Sequence, residues 1–576
     1  MTSEAKAGAA SPGTAATNPP AGDAPGTAAS GAPAPAPAAS APAPAASAPA
    51  SAVSFAPGAA SPSSPPASAS DAPSPSGGVH GRQLALVFLG LMLAMFISSL
   101  SETIAATALP TIVGDLGGVE MMQWVSTAYI LTSTITMPLY GRLGDLIGRK
   151  GLLMGALGVY AAGKVICGLA TGMGMLIAGR CVSGLGGGGL IILSQAAIAD
   201  VVPPRKLGTY MGVMGSVFAV SNVLGPLLGG WFVQVTGWRW IFWFTVPMAV
   251  LAIVVLGLCL PTSPRRAGRP AIDWAGSAAL TVAVTSLVLG LAWGGVRFAW
   301  ASWQICGLLA LAIAAAIAFV LAERRAREPI IPLPLFSNRN FVLCCLTGLL
   351  LNIGFIGSVN YLPTYFQIVD KLSPEMAGLV CTAMSAGILV TTTGTGWLAS
   401  RTGRYKWMPV AMGAVCAVGF WLLSRLQVGD PIWVPVADLL VLGLGIGLGL
   451  QILVLVVQNE FPHTLVGTAT ASENFFRQIG SSVGTSLVGA LFTARLTADL
   501  AGKMPHVDNL SLATLTPSAV DGLPAAAQAA IAQGYSEALV PLFLWFVPLM
   551  VAAFGLMLLL REHPLAKTID HGGQGE

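Results

Sequence analysis

The chain has 576 residues, 54% of them hydrophobic and only 9% charged, with a formal net charge of +4. A soluble domain carries about 25% charged residues, so this composition excludes a wholly water-exposed surface. The small, scattered positive excess excludes a nucleic-acid-binding face.

Residues 1–80 are almost entirely Ala, Pro, Ser, Gly and Thr. Such a segment buries too little apolar side chain to offset its ordering entropy, and Pro-Ala runs favour extended coil. It is expected to be a disordered cytoplasmic tail. No basic start is followed by an apolar block, so it does not read as a signal peptide.

From Gly81 the composition changes abruptly. A bilayer core about 30 Å thick needs about 20 apolar residues per helix. Fourteen such stretches are predicted, at about 84–107, 124–143, 151–170, 176–199, 209–233, 240–260, 274–294, 303–322, 340–367, 377–400, 407–425, 433–457, 468–494 and 538–560. The 69 glycines suit close packing of such helices. With the tail on the cytoplasmic side, most of the 28 Lys and Arg fall in cytoplasmic loops, as the positive-inside rule requires. Both termini are therefore expected in the cytoplasm, and the architecture points to a bacterial inner membrane. The longest outside loop is about 495–537, the natural contact for a periplasmic adaptor.

Ionisable groups inside a bilayer are costly and mark function by default. Glu102, Lys164, Arg180 and Asp438 fall inside predicted spans. Glu102 is the first candidate for carrying protons, because a carboxyl in a low-dielectric cavity can exchange them; the alternative is a solvated charge near the outer interface. Glu102 and Lys164 both lie in the outer halves of their helices and are expected to pair. Arg180 reads either as a buried guanidinium steering protons through a neighbouring acid or as an interfacial charge, and Asp438 ranks below Glu102. The five histidines lie outside the apolar spans and the eight cysteines inside them, without metal-ligand spacing, so no metal, cofactor or catalytic cluster is expected. Gly158-x-x-x-x-Gly163-Lys164 lacks the Ser or Thr of a phosphate loop and lies in an apolar helix.

Gly141-Arg142-Leu143-Gly144-Asp145-Leu146-Ile147-Gly148-Arg149 and Gly396-Trp397-Leu398-Ala399-Ser400-Arg401-Thr402-Gly403-Arg404 share the pattern Gly-x-Leu-x-x-x-x-Gly-Arg. Both are expected in tight cytoplasmic turns, and a two-fold internal repeat suits a transporter built of two rocking bundles. The first copy resembles the loop motif of the major facilitator superfamily. Trp124 to Tyr129, Arg180 with Gly184, Gly186, Gly187 and Gly188, Gly225-Pro226-Leu227-Leu228-Gly229-Gly230, Trp238 to Trp243 and Phe475 to Gly480 resemble its fourteen-helix drug:proton antiporters, the EmrB/QacA type.

The resemblance covers everything after residue 80. It implies an all-α polytopic membrane protein of 14 transmembrane helices. An N-terminal six-helix bundle (81–262) and a C-terminal one (331–567) flank two inserted helices (263–330), and a short tail (568–576) follows. It implies proton-coupled efflux of small amphipathic molecules by alternating access, with a small-molecule substrate and protons as partners and the bilayer as surroundings. Export of one endogenous metabolite, lipid or siderophore is the alternative; a membrane sensor or enzyme is remote, since neither an output domain nor a catalytic cluster is evident. Gly141, Arg142, Asp145, Gly148 and Arg149 are expected to form a conformational latch, or else a basic loop that sets topology. Gly212, Gly225, Pro226, Gly229 and Gly230 are expected to lie near one another as a bending and sealing element, or as simple packing. The chain departs from the family where Leu-Asp-x-Thr is expected, reading Leu100-Ser101-Glu102-Thr103, so that Ser101 takes the acid's place. Ser221 stands where the family usually has a glycine.

Overall fold

The computed structural model describes residues 81–118, 121–262, 273–295, 297–503, 520 and 524–565. The tail 1–80, residues 263–272 at the start of the inserted pair, most of the expected outer loop and the C-terminal tail 568–576 lie outside them.

Among the described residues, fourteen helical segments overlap the fourteen apolar stretches. They are α1 (Gly81–Leu116), α2 (Met122–Ile147), α3 (Arg149–Gly168), α4 (Met173–Val201), α5 (Pro204–Val235), α6 (Trp240–Cys259), α7 (Trp274–Trp293), α8 (Trp303–Glu323), α9 (Arg339–Ile368), α10 (Pro374–Thr402), α11 (Trp407–Leu423), α12 (Trp433–Glu460), α13 (Val466–Lys503) and α14 (Ala525–Leu558). Eleven are long and apolar enough to cross a membrane; α2 and α13 carry more polar residues, and α11 is short. Five helices begin on an exposed tryptophan: Trp240, Trp274, Trp303, Trp407 and Trp433. An amphipathic ring at a helix end suits the headgroup boundary of a bilayer. The aliphatic side chains exposed along these helices, such as Leu258 and Val390, suit its interior.

Helix ends follow local chemistry. Asp273, Ser302, Asn338 and Ser373 cap α7, α8, α9 and α10, each accepting a hydrogen bond from a backbone N–H of the first turn. The structure corrects the sequence reading at the repeat. Gly141 to Ile147 form the last turns of α2 and Gly396 to Thr402 those of α10, so the first turn shrinks to Gly148 and the second to residues 403–406, each opening on a glycine with positive φ, Gly148 at 92° and Gly403 at 75°. Only glycine adopts that backbone cheaply, so at Gly148 a single residue reverses the chain. Part of the expected outer loop is helical too, since α13 runs on to Lys503 and α14 starts at Ala525.

Packing groups α1–α6 together and α9–α14 together, while α7 and α8 pack chiefly on each other. The two groups meet through α5 against α10 and α2 against α13. At the end where α2 turns into α3, one apolar core joins both groups, running from Val87 and Met95 to Leu453 and Val466. At the opposite end the core divides. Leu100, Ile112, Phe232 and Phe242 belong to one cluster, and Phe355, Phe420, Leu439 and Phe543 to another. The structure is thus closed at the α2–α3 end and parted at the other.

At the parted end, in the loop after α9, burial and then the nearby Asp430 carboxylate push the Asp370 carboxyl up to about 6. A raised carboxyl stabilises the fold fully below its unfolded value, and that contribution is lost as pH rises through about 6. Asp370→Asn should therefore raise the thermal midpoint above that pH and leave it unchanged in acid; an equal shift at both pH values would refute this.

Candidate functional site

The α1 residues around position 101 meet α3 and α4 in the first group of helices. Ser101 is fully buried and receives two cations. Lys164 Nζ donates to Ser101 Oγ. Arg180 Nη1 donates to Ser101 Oγ (3.0 Å) and to its carbonyl (3.2 Å), while Nε donates to the Val125 carbonyl at 2.8 Å. Arg180 lies 4.5 Å from the Tyr129 ring, and Lys164 stands 5.0, 5.4 and 5.8 Å from the rings of Tyr160, Phe242 and Tyr129. Ring faces, the Ser101 hydroxyl and, for Arg180, two backbone carbonyls surround these groups; among the described residues no carboxylate bonds to either.

This overturns the expected pairing of Glu102 with Lys164. One residue is about 100° of helix rotation, so when Ser101 faces α3 and α4, Glu102 is turned away. By the same period, Met95, Ser99, Glu102 and Ala106 share a face of α1. Met95 lies in the common core and Ser99 is buried, whereas Glu102 and Ala106 are exposed. Glu102 therefore stands where the common core gives way to the parted end. Thr103, on the next face, donates to the Ser221 carbonyl on α5 at 3.1 Å.

At the closed end, Asp145 reaches across to the start of α13. Its carboxylate accepts from Gly467 N at 3.0 Å, Thr468 N at 2.7 Å and Thr468 Oγ1 at 2.8 Å. An anion at a helix N-terminus satisfies orphan N–H groups and complements the helix dipole. Arg149 Nη2 holds the same carboxylate at 2.8 Å, and the guanidinium also donates to Asp200 and to the Ala196 and His463 carbonyls. Gly141 lies so close to Ala471 and Gly467 that a side chain there would collide with the Gly467 backbone. Beside this contact Asn474 Nδ2 donates to Gln195 Oε1 at 3.1 Å, and Gln458 Nε2 donates to the Gln195 carbonyl at 3.0 Å. Arg142 stands apart from the expected set, because it pairs with Glu328 beyond α8.

The five α5 residues do not form one cluster. Gly225 and Gly229 seat against Thr103 and Thr107 of α1. Gly212 faces α10, where an added Cβ would lie 2.6 Å from the Thr392 carbonyl oxygen and 3.0 Å from the Gly396 Cα. Gly230 faces open space, and Pro226 is exposed. Thirteen positions from 212 to 225 rotate the helix by about 220°, which sends the two ends to different neighbours.

Asp438 is buried one turn into α12, in the second group, and does not join the Ser101 cluster. The sequence reading passed over Glu473, which is fully buried in α13. The rule that flags ionisable residues inside apolar spans applies to it, since it lies within the stretch 468–494. Gln195, Gln458 and Asn474 carry no such signal, because uncharged amides recur in membrane helices.

A family model described as the Major Facilitator Superfamily matches residues 91–485. The chain belongs to the major facilitator superfamily. This facilitator is 39% identical over 485 residues to an uncharacterized MFS-type transporter of Mycobacterium tuberculosis, covering 84% of this chain and 70% of the relative. It is 36% identical over 426 residues to the multidrug transporter protein MdtP of Bacillus subtilis, covering 74% and 78%. It is 34% identical over 440 residues to the efflux pump FUS6 of Gibberella fujikuroi, covering 73% and 77%. Among solved structures, the proton:xylose symporter XylE shares the fold with a TM-score of 0.58 at 14% identity, covering 84% of this chain and 98% of XylE. The human organic anion transporter MFSD10 does so with a TM-score of 0.54 at 16% identity, covering 83% and 99%. The facilitator is thus a multi-pass membrane transporter of small molecules rather than an enzyme.

Proposed function

We propose that this facilitator exports small amphipathic molecules in exchange for protons, alternating between a form closed at the α2–α3 end and a form open there. All fourteen helices cross the membrane in this reading, with 81–262 and 331–567 as the two moving bundles and 263–330 as the inserted pair. The α2–α3 end faces the cytoplasm of a bacterial cell, so the parted end faces outward. Relatives named as a multidrug transporter and as efflux pumps support the direction of transport. The carrying observation is the position of Glu102, an exposed carboxylate at the point where the common core ends. From there it meets water, protons and a cationic substrate from the open side, so proton and substrate compete for one group.

Arg180 bonds the hydroxyl and carbonyl of Ser101, the residue next to Glu102. Lys164 and Arg180 then form a fixed positive wall behind the carboxylate, and Asp438 is a reserve acid in the second bundle. Asp145 and Arg149, with Gly141 and Gly148, act as the latch of the closed cytoplasmic end. Gly225 and Gly229 seal α5 on α1, and Gly212 lets α5 approach α10.

The test is proton-coupled efflux in everted vesicles with a panel of lipophilic cations and anions. A cation should dissipate the pH gradient, and Glu102→Gln should cut the rate at least about a hundredfold at unchanged protein level, as loss of a proton-transfer group does. Equal rates in wild type and variant would move the coupling acid elsewhere. A wild type that moves protons with no compound would remove the broad efflux reading and favour one narrow substrate.

A further inference from the structure

We propose that Glu473 is a second proton-binding site, inside the C-terminal bundle, whose proton is held while the α2–α3 end is closed and released when it opens. This rests on the proton-coupled reading above. Glu473 is fully buried, and neither carboxyl oxygen has a hydrogen-bond partner among the described residues. The Arg477 guanidinium, one turn on, stands 3.9 Å away, beyond hydrogen-bonding distance. A buried carboxylate without donors loses its hydration for nothing in return, whereas the neutral acid loses far less. These surroundings suit the neutral acid.

Its surroundings link it to the closed end. Gly348 on α9 backs onto both Glu473 and Arg477, and a side chain added there would press on both. The other titratable groups facing it are the Cys344 and Cys345 thiols on α9, with Glu460 of α12 beside Cys344. Toward α2 and α4, the charged groups nearest along α13 are Asp145 and Arg149, at its first turn. Glu473 sits between Ala471, which seats against Gly141, and Asn474, which bonds to Gln195. Any motion that withdraws α13 from α2 and α4 moves the helix that carries Glu473. In the open form water reaches the acid past Arg477. The carboxyl O–H bond then breaks, the proton passes to water, and the carboxylate left behind pairs with the Arg477 guanidinium. Closure reverses the step.

The test reads the end of the transporter itself, without substrate. Ile192, fully buried in an apolar cluster with Met137 of α2 and Ala471 of α13, becomes a reporter as Ile192→Cys, with the eight native cysteines replaced. Labelling by a hydrophilic maleimide in purified full-length protein is compared between about pH 6 and about pH 9, a window that brackets a buried carboxyl. Rates are normalised to a model thiol, so that the reagent's own pH dependence cancels. The expected result is a rise of about fivefold or more with pH, within the ordinary range of conformational coupling. Glu473→Gln should hold the low-pH rate throughout, and Glu473→Asp should restore the rise. Infrared difference spectra over the same range should show a carboxylic-acid band that Glu473→Gln removes, a readout available from the wild type even where a variant folds poorly. Persistence of the pH rise and of the band in Glu473→Gln, or a wild type showing neither, overturns the proposal. Because no substrate is present, failure here leaves the vesicle experiment on Glu102 to stand or fall alone.

Discussion

Asp145→Ala should spring the α2–α3 end open. In the closed form the carboxylate is almost fully buried, accepts three hydrogen bonds from the start of α13 and holds Arg149. Arg149 keeps Asp200 and two carbonyls, so the main loss is the three hydrogen bonds to the carboxylate, each worth about 1.5–3 kcal/mol. That cost falls on the closed form, since parting α2 from α13 already breaks the three bonds to Gly467 and Thr468. The balance should shift toward the open form by about a hundredfold or more. Labelling of the Ile192→Cys reporter should rise accordingly and transport should fall, because the cycle requires return to the closed form. Unchanged labelling would show that Gly141 against Ala471 and Gln195 with Asn474 hold the end closed without Asp145. Arg142→Ala should do much less, since its partner is Glu328 and not the α13 helix end.

Ser101→Asp should stabilise the protein and slow it. Lys164 and Arg180 converge on the Ser101 hydroxyl, with ring faces around both and two backbone carbonyls on Arg180. A carboxylate at that position would receive two charge-assisted hydrogen bonds, each worth about 1.5–3 kcal/mol before the cost of burying the new charge. The thermal midpoint should rise, and Lys164→Met should lower it in the Ser101→Asp background. In the native background Lys164→Met should be neutral or stabilising, since it removes a buried charge with no counter-ion. This change of sign around the double-mutant cycle is the diagnostic measurement. If Ser101→Asp lowers the midpoint, the aromatic cage and not a missing acid is what the two cations require. Slower transport is expected because a neutralised pair no longer acts on Glu102 from behind.

The membrane architecture was legible because bilayer thickness sets a length that each apolar run must meet. The motif glycines were legible because Gly148 and Gly403 occupy positive-φ turns that other residues avoid. Gln195 and Asn474 were not, because their meaning lies in a contact between residues 279 apart. Glu473 was legible in principle as an acid within an apolar run, but its want of donors is a property of the neighbours that surround it.

Apolar run length alone marked the stretches fit to cross a membrane, and motif resemblance pointed to the superfamily. Both are local or pairwise-in-order features, written in residue type and spacing. Helical period also fixes the angle between Ser101, Glu102 and Thr103, but only as rotation about one axis. Which neighbour each face meets is set by the packing of six helices at once, so only the tertiary structure directed Lys164 to Ser101 rather than to Glu102. The same packing divided the α5 glycines between α1 and α10, and brought Asp145 to the first turn of a helix 322 residues later.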